Sequence, residues 1–397
     1  MVAGAGALRG IRVLDFGRYV AGPYCAALLA DFGADVIRIE RPGGGEDRSI
    51  APVTPDGEGA LFFQLNRNKR SLTLNPRAED AGKVLRKLIA GADIVVVNVP
   101  DSALQKMGLD FATLTEIKPD IILINTSSFG PVGPWADRPG FDSVGQAMCG
   151  SAYLSGPGDT PYRTPITWVD HATALYAAFG VMVALHERSK TGRGQQVGGS
   201  LLGSALAFSS TFLIEQAMLG LDRAPIGNRS YLNGPTDTFQ TRDGWIVTQV
   251  VGSVIFRRWA ELVGDMDLLD DPRFATDELR GKNGHMLSEI MQRWCASRCA
   301  DEALDELARA NIPAGPILAP RQVISHPQVT AMEIFKSVAV PGVDRAVPLT
   351  MPPVSLSATP AVLRYPPPKV GEHNQEILAD LGFSAVEIEE LGRKSVI

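Results

Sequence analysis

An aspartate at the start of a long apolar helix is the residue in this sequence best placed to do chemistry. Asp170 follows Thr167-Trp-Val169, and most residues from 172 to 185 are apolar. An aspartate at this position is a good N-cap and is stabilised by the positive end of the helix dipole. Because the ordinary pKa of aspartate is about 4, the carboxylate is also a nucleophile that needs no general base. The sequence therefore supports both a structural cap and a nucleophile at Asp170, and the two roles are compatible.

Other nucleophile arrangements have less support. His171 is adjacent to Asp170, but neighbouring residues on a helix point about 100° apart, so the two side chains do not form a natural dyad. The sequence contains no Gly-x-Ser-x-Gly elbow of the kind that serine hydrolases use. We therefore do not expect serine hydrolysis.

The cysteines and glycines argue against a bound metal or a redox cofactor. Cys295 and Cys299 lie on one face of a predicted helix, but no second cysteine or histidine pair completes a zinc site. Gly4-Ala-Gly6 precedes the first predicted strand, whereas a dinucleotide fingerprint follows a strand and opens a helix. We expect no metal, no nicotinamide and no flavin.

Composition limits the class of protein. The chain has 397 residues, enough for two or three domains, with 45% hydrophobic and 21% charged residues and a net charge of -6. This mild acidity disfavours nucleic-acid binding. The first residues do not resemble a secretory signal, and the apolar stretch at 172–185 is shorter than a membrane span. We therefore expect a cytoplasmic protein with no membrane or nucleic-acid partner.

The order of elements predicts two domains. Strands at 12–16, 35–39, 93–97 and 120–125 alternate with helices at 23–32, 79–90 and 114–117, which predicts an α/β domain with a parallel sheet covered on both faces. Helices at 140–150, 170–190 and 201–221 follow. An antiparallel pair at 236–240 and 245–250, with helices at 256–263, 286–310 and 321–325, predicts a smaller α+β domain. The predicted domains are 1–227, completed by 331–397, and 228–330.

Several segments, in this order and spacing, resemble the class III CoA-transferase family over essentially the whole chain. That family includes formyl-CoA transferase and carnitine CoA-transferase and is related to α-methylacyl-CoA racemase. The matching segments are Gly10-Ile-Arg-Val-Leu-Asp-Phe16, Ala21-Gly-Pro23, Gly33-Ala-Asp-Val-Ile-Arg-Ile-Glu-Arg-Pro42, Asn66-Arg-Asn-Lys-Arg-Ser71, Gly140-Phe-Asp142 with Gln146-Ala147, His186-Glu-Arg-Ser-Lys-Thr-Gly-Arg-Gly-Gln195 and Gly371-Glu-His-Asn-Gln-Glu-Ile-Leu378.

The resemblance implies a fold and an activity. The fold would be a Rossmann-like large domain plus a smaller α+β domain, in an interlocked homodimer. The activity would be transfer of CoA from an acyl-CoA to a carboxylic acid, with CoA as substrate and product. Asp170 would be the catalytic residue and would carry an acyl anhydride and then a CoA thioester, and Gln146 would lie close to it.

The resemblance also implies contacts to CoA and marks departures from the family. The expected CoA-binding residues are Arg18, Ala21, Arg38, Leu72, Asn98 and Lys106. Asn98 is followed by Val99-Pro-Asp101 rather than by an aromatic and a basic residue, and the glycine-rich loop of formyl-CoA transferase is reduced to Val251-Gly-Ser253. For a dicarboxylate substrate, the candidate cations are Arg48, Arg163 and Arg229.

Two alternatives remain at this point. The racemase branch places a histidine before the aspartate of the Gly-x-Asp motif, whereas this chain has Phe141, which carries no proton. This difference favours transfer over racemisation. The other alternative is a CoA-binding protein without catalysis, and the retained Asp170 argues against it.

Overall fold

Six parallel strands form the central sheet of the protein, whose computed structural model describes residues 6–340 and 343–397, so that Gly4 of the predicted glycine motif lies outside the described residues. The strands are β1 (Arg12–Asp15), β2 (Asp35–Glu40), β3 (Lys69–Thr73), β4 (Ile94–Val97), β5 (Ile122–Ser127) and β6 (Gln196–Ser200). They follow the order β3-β2-β1-β4-β5-β6, which is the doubly wound Rossmann order. The predicted α/β class and parallel sheet are confirmed.

Seventeen α-helices surround the sheets in the described residues. In chain order they are α1 (Ala21–Asp31), α2 (Ala60–Asn66), α3 (Ala81–Ala90), α4 (Asp101–Met107), α5 (Phe111–Ile117), α6 (Asp142–Met148), α7 (Ser151–Leu154), α8 (Trp168–Thr191), α9 (Leu201–Leu219), α10 (Gly252–Val263), α11 (Asp277–Lys282), α12 (Gly284–Ala296), α13 (Ala300–Arg309), α14 (Pro320–Ser325), α15 (Pro327–Ala331), α16 (Asn374–Asp380) and α17 (Ala385–Arg393).

Successive residues of each buried strand point to opposite faces of the large sheet, and a hydrophobic core lies on each face. Leu14 and Leu123 belong to the core that contains residues of α3, α16 and α17. Their neighbours Val13 and Ile124 belong to the core that contains residues of α1 and α8. The continuous apolar character of these strands is therefore explained by burial on both sides.

The chain divides into two compact units. The first comprises Met1–Cys149, Pro165–Phe212 and Met332–Ile397, and the second comprises Gly150–Thr164 and Leu213–Ala331. Compared with the predicted boundaries, the segments 150–164 and 213–227 fall in the second unit.

The second unit contains a three-stranded antiparallel sheet of β7 (Thr236–Gln240), β8 (Trp245–Gln249) and β9 (Ala314–Pro316) in that order. The predicted antiparallel pair is thus present. The helix predicted over 286–310 is wrong as a single element, because Cys299 ends the connection between α12 and α13 and caps α13 by accepting the N–H of Glu302. A further pair, β10 (Phe335–Val338) and β11 (Val347–Thr350), lies in the first unit.

The Asn-Arg-Asn-Lys-Arg-Ser segment is buried and holds the first unit together. Lys69 Nζ donates to Asp15 Oδ2 at 2.7 Å, to the Pro23 carbonyl at 2.8 Å and to Asn66 Oδ1 at 3.0 Å. Arg67 forms a fully buried ion pair with Asp31. Buried charges are tolerated only when their partners are in place, and every ammonium donor of Lys69 has one.

Helices α8 and α9 are the two described helices long and apolar enough to span a membrane, with mean hydropathy of 1.3 and 1.2 in their most apolar windows. In α8, 44% of that window is buried inside the protein, and in α9 the share is 17%. The apolar stretch at 172–185 was expected to be too short to span a membrane. That expectation is wrong for the helix, because α8 extends beyond the stretch on both sides and is long enough.

Candidate active site

A cavity of about 310 Å³ opens at the carboxyl ends of β1, β4 and β5. Because neighbouring strands β1 and β4 send their connections in opposite directions, this edge is the topological switch point where doubly wound folds bind ligands. The lining residues are Arg18, Tyr19, Val20, Ala21, Asn98, Val99, Pro100, Thr126, Ser127, Ser128, Asp137, Arg138, Pro139, Gly140, Phe141, Asp170 and Leu201. All of them belong to the first unit.

Asp170 lies in the first turn of α8 and faces this cavity with 8% of its surface exposed. No side chain or backbone group in the described residues donates a hydrogen bond to its carboxylate. Burial raises the pKa of Asp170 to about 7, and the nearby carboxylate of Asp142 adds to the increase. The oxygens are therefore unshielded by hydrogen bonds and more basic than those of an ordinary aspartate.

Asp142 anchors the backbone that carries Asp170. Its Oδ1 accepts the backbone N–H of Val169 at 2.8 Å and that of Asp170 at 3.1 Å. The local N-cap residue, Thr167, makes no side-chain cap hydrogen bond, so a carboxylate from α6 satisfies the start of α8 instead. Asp142 therefore acts as a cap supplied from another helix.

Gln146 is linked to Asp142, the residue that anchors Asp170. Its Nε2 donates to Asp142 Oδ2 at 2.5 Å and to the Ile166 carbonyl at 3.2 Å. The sequence prediction placed Gln146 close to the nucleophile but gave Asp142 no role. The Gly-x-Asp motif was the available signal, since Asp142 is the first residue of α6 and one turn before Gln146.

The ring of His171 points away from the candidate nucleophile. Its Nδ1 lies 2.7 Å from the Thr167 carbonyl, and the ring packs edge-on against Tyr24 at a centroid distance of 5.0 Å. His171 and Asp170 are neighbours in the sequence, but their side chains do not form a dyad in the structure.

Three of the predicted CoA-binding residues line the cavity with Asp170. Arg18 and Ala21 come from the β1–α1 connection, and Asn98 follows β4. The Asn98 amide is bound to the backbone of Arg18, because Oδ1 accepts the N–H at 2.8 Å and Nδ2 donates to the carbonyl at 2.7 Å. Asn98 thus fixes the connection that forms one wall of the cavity.

The other three predicted CoA-binding residues lie elsewhere. Arg38 is 1% exposed, and its Nη2 donates to both carboxylate oxygens of Asp47, at 2.8 and 3.0 Å. Leu72 is fully buried in the hydrophobic core. Lys106 is exposed in the last turn of α4. None of the three lines the cavity.

The candidate cations for a dicarboxylate are likewise dispersed. Arg48 is buried and bound by Glu40 at 2.7 Å and by Glu58 at 2.8 Å. Arg163 and Arg229 belong to the second unit. Val251-Gly-Ser253 also lies there, at the junction of β8 and α10.

Sequence reasoning missed Arg138 and Tyr19. Arg138 is a second cation on the cavity wall and lies over the Trp135 ring at 4.3 Å from its centroid. Tyr19 has a positive φ of 62° and packs edge-on against Phe141 at 5.2 Å. Both lie in connections, where the length and polarity of the sequence do not specify which side chain faces a cavity.

Comparison with known proteins gives a consistent result. A family model described as CoA-transferase family III matches residues 8–374. A succinyl-CoA–D-citramalate CoA-transferase from Chloroflexus aurantiacus is 34% identical over 391 residues, which is 98% of this chain and 97% of the relative. A formyl-CoA:oxalate CoA-transferase from Streptomyces avermitilis is 32% identical and covers 98% of this chain and 99% of the relative. The crystal structure of a CAIB/BAIF family protein from Brucella suis matches with a TM-score of 0.82, 31% identity and coverage of 95% and 99% of the two chains.

Proposed function

The chain belongs to CoA-transferase family III and moves CoA between an acyl-CoA and a carboxylic acid, and we propose that it does so through covalent intermediates on Asp170. The observation that carries this proposal is a buried carboxylate that faces the cavity, accepts no hydrogen bond from the described residues and has its pKa raised to about 7. Such an oxygen is a better nucleophile than a solvated one.

The first half of the reaction loads CoA onto the enzyme. An oxygen of Asp170 attacks the donor thioester carbonyl, the C–S bond breaks, and CoA leaves as a thiolate while a mixed anhydride forms. The thiolate then attacks the Asp170 carbonyl carbon of that anhydride. The donor acid departs as a carboxylate, and an aspartyl-CoA thioester remains.

The second half repeats these steps in reverse order with a new acid. The acceptor carboxylate attacks the Asp170 carbonyl and expels the CoA thiolate, which forms a second mixed anhydride. The thiolate attacks the acceptor carbonyl, and Asp170 leaves as a carboxylate. No ATP is needed because one thioester replaces another, and burial of Asp170 limits hydrolysis of the anhydride.

Two cations of the cavity suit the charge of CoA. Arg18 and Arg138 line the cavity from separate connections, and guanidinium groups bind phosphate oxygens with paired N–H donors. We assign these two residues to the phosphates of CoA. The assignment keeps Arg18 from the sequence prediction and adds Arg138.

A homodimer completes the proposal. Apolar side chains of α8 and α9 are unusually exposed for a single chain, with Phe179 at 69% and Met218 at 76%. A second copy of the chain, interlocked with the first as the family resemblance implies, would cover these helices.

Racemisation is the second candidate activity, and the cavity does not favour it. It requires two proton carriers on opposite sides of the α-carbon. In the described part of the chain, Phe141 occupies the cavity wall beside Asp142, and no histidine lines the cavity.

The decisive experiment traps the enzyme-bound intermediate. Purified protein is incubated with hydroxylamine and a panel of acyl-CoA donors that begins with succinyl-CoA, and the peptide containing residue 170 is weighed by mass spectrometry. We expect donor-dependent hydroxamate at Asp170 and loss of transfer. Asp170→Ala should lose transfer but still bind CoA, while the matched control His171→Ala should remain active. Normal turnover by Asp170→Ala would overturn the proposal.

A further inference from the structure

A threonine whose buried hydroxyl has no hydrogen-bond partner lines the candidate active site. Within residues 6–340 and 343–397, three buried side-chain atoms lack any hydrogen-bond partner, namely Arg38 Nε, Arg364 Nε and Thr126 Oγ1. Of the three residues, only Thr126 lines the cavity that contains Asp170. A buried hydroxyl that makes no hydrogen bond destabilises the protein, so its retention calls for an explanation.

The position of Thr126 on β5 directs its side chain toward the α8 side of the sheet. Side chains of a strand alternate between faces, and Ile122 and Ile124 belong to the same hydrophobic core as Ala174 and Ala177 of α8. Thr126 therefore shares that face and is two residues closer to the carboxyl end of β5. The helix begins at this end of the sheet, because it runs antiparallel to the strands it covers.

The neighbouring strand provides no partner for the hydroxyl. Thr126 is paired with Gly199 of β6, which has no side chain. The Thr126 methyl carbon lies over this glycine, only 3.3 Å from where a Cβ at position 199 would lie. The methyl group is therefore seated against β6, and the hydroxyl, with the residue 3% exposed, is shielded from water.

We propose that the Thr126 hydroxyl donates a hydrogen bond to the carbonyl oxygen of Asp170 once that carboxyl is acylated. The inference rests on the proposed covalent role of Asp170. Two of the four steps proceed by attack on the Asp170 carbonyl carbon, first by the CoA thiolate and then by the acceptor carboxylate. Negative charge develops on the Asp170 carbonyl oxygen in both steps, and a fixed hydroxyl donor in a water-poor cavity would stabilise it.

The proposal separates the steps that Thr126 serves from those it does not. In the first and last steps the attacked carbonyl belongs to the donor or acceptor acid, so the charge develops on an atom of the substrate. Loss of the hydroxyl should therefore slow the second and third steps, in which the aspartyl-CoA thioester forms and is consumed, more than the first and last steps. The mixed anhydride should accumulate when the donor is supplied.

The test compares Thr126→Val, which keeps the shape and removes the hydroxyl, with Thr126→Ser, which keeps the hydroxyl. For Thr126→Val we expect kcat to fall at least about 10-fold, with KM for the donor nearly unchanged. Mass spectrometry of the intact, acid-quenched enzyme should find more donor acyl group bound per enzyme than in the wild type. Thr126→Ser should recover most of the wild-type kcat.

Thermal unfolding provides a control for a merely structural role. Since the hydroxyl has no hydrogen-bond partner among the described residues, Thr126→Val should unfold at the same temperature as the wild type or higher. Thr248→Val is the matched comparison, because Thr248 is equally buried but donates to the Pro313 carbonyl at 2.8 Å, and its loss should lower the midpoint.

The outcomes distinguish this inference from the proposed function. If Asp170→Ala keeps full activity, the covalent mechanism itself fails. If Asp170→Ala is inactive and the kcat of Thr126→Val is within twofold of the wild type, the role of Thr126 is overturned while that of Asp170 stands. A Thr126→Val variant that loses activity only because its unfolding midpoint falls would also overturn the role of Thr126.

Discussion

At the scale of single residues, the site contains two carboxylates with different hydrogen bonding. Asp142 accepts two backbone N–H groups at the start of α8, whereas the Asp170 carboxylate accepts no hydrogen bond from the described residues. The helix pattern alone predicted Asp170 as an N-cap, a position that Thr167 takes in the structure, and it was the family resemblance that predicted Asp170 as the catalytic residue. The sequence could not predict Asp142 as the cap of α8, because that contact joins residues 28 positions apart.

The two carboxylates predict a specific pH dependence. In the proposed mechanism the nucleophile is the ionised form of Asp170, and because its pKa is raised to about 7, kcat/KM should fall as the pH falls through that value. Asp142→Asn keeps an oxygen acceptor but removes the negative charge, so the acid limb of the kcat/KM profile should move to lower pH. The limb should stay above the ordinary aspartate range, because burial is the larger cause of the shift.

The other charged residues near Asp170 should not cancel the shift of the acid limb that Asp142→Asn causes. Arg18, Asp137 and Arg138 also line the cavity from its surrounding connections and are unchanged in the variant. Asp142→Ala serves as the comparison, since it removes both the charge and the cap and should lower kcat as well. An unchanged acid limb in Asp142→Asn would show that Asp142 does not set the pKa of Asp170.

At the scale of elements, the cavity is where the strand order requires it to be. The sequence pattern predicted β1, β2, β4 and β5, and the switch point between β1 and β4 places the connections after these strands around one cavity. It did not predict β3, because Lys69 and Arg70 are residue types expected at a surface. Charged residues can occupy a buried strand only when oppositely charged partners lie beside them, and the sequence pattern does not show those partners.

Lys69 provides the stability prediction at this scale. Burial lowers the pKa of Lys69 to about 8 in spite of Asp15, so the group remains mostly charged at neutral pH. Lys69→Met should lower the free energy of unfolding by about 3–5 kcal/mol, because it leaves Asp15 buried and unpaired. Urea unfolding measures this loss.

Two further variants control that measurement. Asp15→Asn combined with Lys69→Met should recover part of the loss, since no uncompensated charge remains. Lys394→Met removes a half-exposed lysine that pairs with Asp80 at 2.9 Å, and it should leave the unfolding midpoint nearly unchanged. Equal destabilisation by Lys69→Met and Lys394→Met would contradict the structural role of the buried pair.

At the scale of the whole molecule, α8 and α9 expose apolar surfaces of the kind that a binding partner usually covers. Hydrophobic periodicity predicted both helices, but it could not tell which sides would face the core of the same chain. Only 17% of the most apolar window of α9 is buried within the chain. We expect this surface to be covered by a second copy.

Charged substitutions on this surface should disrupt the proposed homodimer. Phe179→Glu and Met218→Glu place a carboxylate on exposed positions of α8 and α9, and light scattering after size-exclusion chromatography should report a shift from dimer to monomer or aggregate. Val386→Glu on α17 is the matched control, because Val386 is 75% exposed and lies outside both helices. A wild-type monomer that binds lipid vesicles would contradict the homodimer and favour a membrane as the occupant.

The way in which Asp170 is held also determines what covalent loading does to the protein. Asp142 holds α8 through the backbone N–H groups of Val169 and Asp170, whereas the Asp170 carboxylate, the proposed acceptor of the acyl group and of CoA, accepts no hydrogen bond from the described residues. The side chain that would carry the covalent group and the backbone groups that hold the helix are therefore separate. If Asp170 carries the acyl group and CoA as proposed, each turnover attaches and removes a group far larger than the side chain while the hydrogen bonds that hold the start of α8 stay in place.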